Sequence, residues 1–350
     1  MMIANVAIVG YGGMGKGHAD RLRNNPKFEL AGIYDTDPRR QAAGGRDGLH
    51  IFGLPGHILD RGAHGVIIAV PNDFHRFYVE YFCKADVCVL CEKPVMMSSK
   101  ELKTVLKNIG DDKKRFFAVN QNRRFDPDYL TVKKIIENNS LGGVYRIESR
   151  VTGGNGIPGD WRKLKAKGGG MMLDWGVHLI DQLVMMFPGS VIKRIDCRYS
   201  YIAGCEVEDG FFADLYFNNG VEARVVVDTN TFIPAPRWRV FGCDGTAEIS
   251  TWDLDGKIVR PFPSDGVERP AMTAGNGLTR TMAYKHSDEV ETLPLPAVEP
   301  LGDAIYENFY EMIMRDVPPL VKSDETMRVL KIMEAAKLSA DAKKPVTGSF

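Results

Sequence analysis

Six residues set between a short apolar run and an amphipathic stretch do most to limit how this chain can fold: Gly10-Tyr11-Gly12-Gly13-Met14-Gly15. The run before them, residues 3–9, has strand character, and the stretch after them reads as a helix through Leu22. Glycine at 10 permits a tight turn, glycine at 12 lets the backbone approach a ligand, and glycine at 15 lets helix and strand pack closely. A helix starting there presents free N–H groups and a partial positive charge to an anion. The spacing alone is weak, because 36 glycines make chance matches easy. Its context is what carries the reading. The next strand, 29–34, ends at Asp35, twenty residues after Gly15, where a carboxylate accepts bonds from ribose hydroxyls and repels a 2′-phosphate. The expectation is a dinucleotide site that includes Gly13 and Met14, with NAD favoured over NADP. Arg39 and Arg40 just beyond are read as a solvated first turn.

The first third continues the alternation. Strands are expected at 66–70, 87–91 and 115–119, with helices at 74–84 and 99–109. They end in Pro71-Asn72, in Glu92-Lys93-Pro94 and at Asn120, all residue types suited to ligand contact at the carboxyl edge of a sheet. Residues 39–60 are glycine-rich and yield no clear element. Short apolar strands alternating with helices imply a parallel sheet covered on both faces.

The pattern changes after Arg123. A helix is expected at 127–137, a strand at 144–152, then a polar loop with Trp161-Arg162, a helix-length apolar stretch, and strands at 191–203, 210–217, 221–229, 237–242 and 247–250. Asn218-Asn219-Gly220 and Asp244-Gly245 signal hairpins. Residues 261–300 read as extended arms around a short hairpin, and 303–315 and 323–340 as helices, with Ser323 suited to an N-cap. The expected fold is α/β: a doubly wound parallel Rossmann sheet over residues 1–122, then an α+β domain over 123–350 whose open-faced sheet is mainly antiparallel.

Basic and acidic side chains balance at 45 each, which gives no electrostatic case for nucleic acid or an anionic membrane as partner. The chain opens without a basic n-region or cleavage site, and no apolar run approaches the roughly 20 residues that span a bilayer. A soluble cytoplasmic protein is expected. Cys88 and Cys91 have C-x-x-C spacing but fall in a strand-like run, where residues three apart point to opposite faces. They are read as core cysteines, and no metal site is expected.

Two features suit chemistry. Gly168-Gly169-Gly170 leads into a helical stretch in which Asp174, His178 and Asp181 fall on one stripe at about 100° per residue, beside an apolar arc. That stripe fits either a core histidine tied down by an aspartate or a catalytic face. Lys93, directly after a buried strand and locked between Glu92 and Pro94, fits either a surface loop or a group held at the nicotinamide end of a cofactor.

The glycine fingerprint, Glu92-Lys93-Pro94 and the Gly168–Asp181 helix, in that order, resemble the glucose–fructose oxidoreductase / inositol dehydrogenase / rhizopine catabolism (Gfo/Idh/MocA) family. Val70-Pro71-Asn72 with His75, Asn122-Arg123-Arg124-Phe125 and Val207-Glu208-Asp209 support the resemblance, which runs from the first strand to the last helices. It implies NAD(P)-dependent oxidation or reduction at a carbinol carbon of a sugar, glycoside or inositol-type polyol, on a sheet often used for homodimers or homotetramers. Lys93, Asp174 and His178 become the implied catalytic set. Pro71, Asn72, His75 and Glu92 join the cofactor site, and Asn120, Arg124, Trp161 and Arg162 are the candidate substrate contacts. Removing hydride from a secondary alcohol requires its hydroxyl proton to leave, so a base must be within reach; Lys93 and His178 both qualify, and Asp174 would bind a hydroxyl or orient the imidazole. Asp181 is a supporting residue. The alternative is a glycoside-cleaving enzyme that oxidises its sugar transiently, with no net cofactor turnover.

Overall fold

The computed structural model describes residues 2–263, 271–282 and 284–350. Its first sheet has five parallel strands in the order β2-β1-β3-β4-β5: β1 (Ala4–Val9), β2 (Phe28–Tyr34), β3 (Gly65–Ile68), β4 (Cys88–Glu92) and β5 (Phe117–Asn120). Helices α1 (Gly13–Arg23), α2 (Pro38–Arg46), α3 (Gly56–Asp60), α4 (His75–Lys84) and α5 (Ser99–Ile109) connect them. The region without a readable pattern thus holds two short helices, and Ile51 forms a lone bridge to Ile33. Strand ends move by one to three residues from expectation. The shift matters at β4, where Glu92 is the last strand residue and pairs in register with Asn120.

Both faces of this sheet are buried, and its side chains divide by the two-residue period of a strand. Ala7, Val9, Val66, Ile68, Val89 and Cys91 enter one core, while Ala4, Val6, Ile8, Ile67, Cys88 and Leu90 enter the other. Cys88 and Cys91 therefore do face opposite ways, and all six cysteines are free.

After α6 (Pro127–Glu137) come β6 (Val144–Thr152), α7 (Val177–Met186), β7 (Ile192–Ser200), β8 (Gly210–Phe217), β9 (Glu222–Asp228), β10 (Trp238–Gly242), β11 (Gly245–Ile249) and β12 (Gly256–Pro261). Next are a hairpin of β13 (Met272–Ala274) and β14 (Gly277–Thr279), β15 (Val290–Leu293), α8 (Ala304–Arg315), α9 (Ser323–Ala342) and β16 (Val346–Thr347). Nine of these strands form one sheet, ordered β15-β12-β11-β10-β6-β9-β8-β7-β16. It is antiparallel except where β6 meets β9. The short hairpin expected within 261–300 is β13–β14; residues 264–270 and 283 of that stretch lie outside the described residues.

Two expectations give way. The division at residue 122 does not hold for α8, which returns to the first domain and buries Ile305, Tyr306, Phe309 and Met312 against Ala4, Val6, Ile8 and Leu90. The stretch before α7 is not a continuous α-helix either. Met172–Gly176 is a π-helical turn, with the Val177 N–H bonded to the Met172 carbonyl five residues back. Such a turn takes up an extra residue and rotates the residues on its two sides relative to each other, so the even stripe of Asp174, His178 and Asp181 is broken.

Among the described residues no helix is long and apolar enough to cross a membrane.

Candidate active site

The glycine loop is built by steric necessity. Gly10 has φ +96°, and a Cβ there would lie 2.4 Å from the Ala69 carbonyl oxygen; one on Gly15 would lie 2.0 Å from the Gly10 carbonyl oxygen. Gly13, by contrast, faces open space. Helix α1 starts with no side-chain cap and no acidic residue in its first turn, so its free N–H groups suit an anionic group such as a pyrophosphate. Asp35 is buried; its Oδ2 accepts from the Tyr11 N–H at 2.7 Å and its Oδ1 from the Asp37 N–H at 2.8 Å. Each oxygen keeps a lone pair for a further donor. A cavity of about 430 Å³ opens beside it, lined by Asp35, Arg40, Pro71 and Phe74 and, from the second domain, by Trp161 and Lys167. The residues present fit a dinucleotide.

That cavity revises two readings. Arg40 is not simply solvated: its guanidinium lies 3.6 Å from Asp35 and beside Gly12. Trp161, expected at the substrate, instead walls the cofactor cavity, with the Arg162 guanidinium 4.8 Å from its ring centre. Met14 is half exposed at the start of α1.

The remaining strand-end residues act as staples. Asn72 donates to the Gly168 carbonyl at 2.8 Å, tying the first domain to the loop before α7. His75, expected at the cofactor, is wholly buried between the Val70 and Pro94 carbonyls, at 3.0 and 2.9 Å. It therefore anchors the turn that carries Lys93 and the cis peptide to Pro94 and has no face left for a ligand. Burial pushes its pKa down despite the carbonyl contacts. Asn120, expected at the substrate, donates to Glu92 Oε1 at 2.6 Å. The same oxygen lies 2.9 Å from His18 Nε2, and His18 Nδ1 lies 2.7 Å from the Tyr306 hydroxyl. Burial works against the Glu92 charge, but His18, Asn120 and Lys93 outweigh it and hold the carboxyl below its usual range. Sequence reasoning missed His18 and Tyr306; 288 residues separate them and no local pattern joins them.

Across the cleft, Lys93 Nζ donates to both the carbonyl and the carboxylate of Asp174, at 2.7 and 2.9 Å. Arg162 Nε lies 3.4 Å from the other Asp174 oxygen. Burial would raise the Asp174 pKa, yet Lys93 and Arg162 together keep it below the ordinary value. His178 is 4% exposed and its Nδ1 is buried without a hydrogen-bond partner among the described residues. Burial, reinforced by the charges of Lys93, Arg123 and Arg237, drives its pKa well below that of a free imidazole. No hydrogen bond joins Asp174 to His178; the π-turn sends the carboxylate to Lys93 instead.

Arg124 also departs from expectation. Its guanidinium makes a two-pronged pair with Asp181, at 2.6 and 2.7 Å, and a third bond to Glu325 at 2.6 Å. With 9% exposure it is a structural link between α7 and α9 and is not available to grip a substrate. Asp181 serves as its buried partner.

A first sheet whose strand ends fit a nicotinamide dinucleotide, with Lys93 facing Asp174 and His178 from a second domain, is an arrangement suited to an oxidoreductase. Residues 4–121 match the family model described as an oxidoreductase family with an NAD-binding Rossmann fold, and residues 129–248 match the GFO/IDH/MocA C-terminal domain. The chain belongs to the GFO/IDH/MocA family. Among solved structures it is similar to an NAD-binding protein from Listeria innocua, at 39% identity and a TM-score of 0.93 over 99% of this chain and 100% of that one. Relatives include an uncharacterized oxidoreductase, C115.03, from Schizosaccharomyces pombe, 29% identical over 80% of both chains. Another is the scyllo-inositol 2-dehydrogenase (NADP(+)) IolW of Bacillus subtilis, 25% identical over 97% of this chain and 95% of that one.

Proposed function

We propose that the protein transfers a hydride between NAD and a carbinol carbon of a sugar, glycoside or inositol-type polyol. The observation that carries this reading is the double contact of Lys93 with Asp174 beside the imidazole of His178. When bound, the nicotinamide supplies the hydride acceptor or donor. The protein's own groups handle the proton. His178, kept neutral by burial and by the cations around it, takes the hydroxyl proton as general base. Lys93 donates to the reacting oxygen and stabilises its alkoxide character. Asp174 holds Lys93 and accepts from a neighbouring hydroxyl.

NAD is preferred in this reading because Asp35 and Asp37 bring two carboxylates to the ribose corner, and the nearby cation Arg40 is already paired with them. A 2′-phosphate would meet both. The inositol dehydrogenase named among the relatives supports a polyol substrate. A homo-oligomer, in this reading, would use the outer face of the nine-stranded sheet, and the exposure of Tyr145 and Phe212 supports that choice.

The test is purified protein with NAD or NADP against monosaccharides, glycosides and inositols. Reduced nicotinamide accumulating with a polyol is expected. Glycoside cleavage without such accumulation would favour the transient-oxidation alternative, and silence with every compound would remove the enzyme reading.

A further inference from the structure

Three tryptophans and two arginines pack into one cluster that runs from the π-turn before α7 into the core of the second sheet. The Trp175 ring lies 6.0 Å from the His178 ring. The Arg123 guanidinium is 4.5 Å from the Trp175 ring centre and 5.0 Å from that of Trp252. The Arg237 guanidinium is 4.8 Å from Trp252 and 4.5 Å from Trp238. The inner end of the cluster is closed. Trp238 is buried and donates to Asp128 at 2.7 Å, and Arg237 is buried against Asp128, Ser149 and Gln182.

The outer end is not. Arg123 donates one bond, to Asp126 at 2.7 Å, and its remaining N–H groups have no partner among the described residues. Trp175 and Trp252 both lie against it, and with their ring centres 6.1 Å apart they meet it on adjoining sides and not on opposite ones; its side chain is 26% exposed. Trp252, on the turn between β11 and β12, stays 46% exposed. The carboxylates here already hold cations: Lys93 and Arg162 lie on the two Asp174 oxygens, and Arg123 itself on an Asp126 oxygen, which leaves each oxygen a lone pair but little uncompensated negative charge.

These cations select among substrates. Each hydroxyl of a neutral polyol brings a donor with its acceptor, and those donors must share carboxylates that already hold a cation. A carboxylate brings acceptors alone, in a planar pair that fits the edge of a guanidinium. An exposed indole beside it suits the C–H face of a sugar ring.

We propose that Arg123 and Trp252 form the substrate subsite distal to the reacting carbinol, and that the substrate is a sugar acid, an aldonate or uronate, whose carboxylate sits on the free edge of Arg123. The proposal rests on the oxidoreductase reading above. In the oxidative direction the carbinol C–H pair leaves as hydride to the oxidised nicotinamide, the O–H proton goes to His178, and a ketone forms; the carboxylate is unchanged. The cationic surroundings of His178 are of the sign that favours such a substrate.

The experiment compares D-gluconate and D-glucuronate with D-glucose and myo-inositol, by initial rates with NAD and by thermal protection of the NADH-loaded protein. The wild type is expected to favour the acids at least tenfold in kcat/KM. In Arg123→Gln that ratio should collapse toward one, chiefly through KM for the acid. Trp252→Ala, on an exposed turn, should raise KM for the acid and serves if Arg123→Gln does not fold. Equal or better use of the neutral compounds overturns the proposal, as does an Arg123→Gln loss shared equally by both classes. NADH bound, read by its fluorescence, with neither rate nor protection from either acid also overturns it. A protein that binds no NADH at all would overturn the oxidoreductase reading with it.

Discussion

Lys93 holds Asp174 by two atoms at once, the carbonyl oxygen at 2.7 Å and a carboxylate oxygen at 2.9 Å. One residue from each domain is therefore fixed relative to the other, and the ammonium cannot swing away from the cleft without losing both bonds. Lys93→Met is expected to lower kcat/KM for hydride transfer by about 10²–10⁴-fold, the range for removing a positioned acid–base group. NADH affinity, read by fluorescence, should change far less. A comparable loss in both would mean that Lys93 serves cofactor binding and not the chemistry.

The buried histidines set a pH dependence. His178 and His75 both have folded-state values below the ordinary one, chiefly through burial. The unfolded chain, with a value of about 6.5, then binds more protons than the folded one as pH falls. Their contribution to stability is complete above about pH 6.5 and is lost as pH drops below it, each by up to about 1.4 kcal/mol per pH unit. Melting temperatures between pH 5 and 8 should show this fall, with a shallower slope in His75→Gln. The acid limb of kcat/KM should also lie below pH 6.5, because His178 stays neutral there. An acid limb at or above about 6.5 would contradict His178 as base.

Asp35→Ala is expected to raise the NADP-to-NAD ratio of kcat/KM about tenfold or more, through loss of the charge that repels a 2′-phosphate. The same change strands the Tyr11 and Asp37 N–H groups, at about 1–3 kcal/mol for a buried donor. A melting-temperature drop without a change in cofactor preference would leave Asp35 a loop anchor only.

Tyr306 reaches the active-site edge through His18 and Glu92. Tyr306→Phe removes one hydrogen bond and should cost about 1 kcal/mol. His18→Ala takes from Glu92 one of its two side-chain partners and should cost more, about 1–3 kcal/mol. If the network positions Glu92 and Asn120 for the cofactor, His18→Ala also raises the NADH dissociation constant. A stability loss with unaltered NADH binding would confine the network to packing.

Arg124→Met leaves Asp181 buried without its cation, at a cost of about 3–5 kcal/mol in chemical denaturation. Substrate KM in the surviving folded protein should be unaltered. A KM rise beyond that of a control such as Glu325→Gln would return Arg124 to the substrate site.

The local rules carried much of the fold. Glycines 10, 12 and 15, the apolar runs and the turn signals each report on their own neighbourhood, and elements such as α5, α6 and β6 fall where periodicity puts them. The candidate site was legible where chemistry sits at a strand end, as with Lys93. Residues fixed by distant partners were not. His75 and Arg124 look free in sequence because the Pro94 carbonyl and Glu325 that engage them lie in other elements. The π-turn leaves no mark, since an apolar run reads the same with or without one extra residue in a turn. Arg123 and Trp252 come together only because the turn after β11 is brought against the turn after β5.

The return of α8 has a consequence for any attempt to take the molecule apart. The chain passes between its two sheets three times, after β5, before α8 and after α8, so it is laced and not hinged on a single strand. A fragment ending near residue 122 would bare Val6, Ile8 and Leu90 to water, and its complement would carry α8 with nothing beneath it. Proteolytic nicking in one connection should thus leave the halves associated. Because α8 travels with the first sheet, any parting of the domains that admits the cofactor must be taken up in all three connections at once.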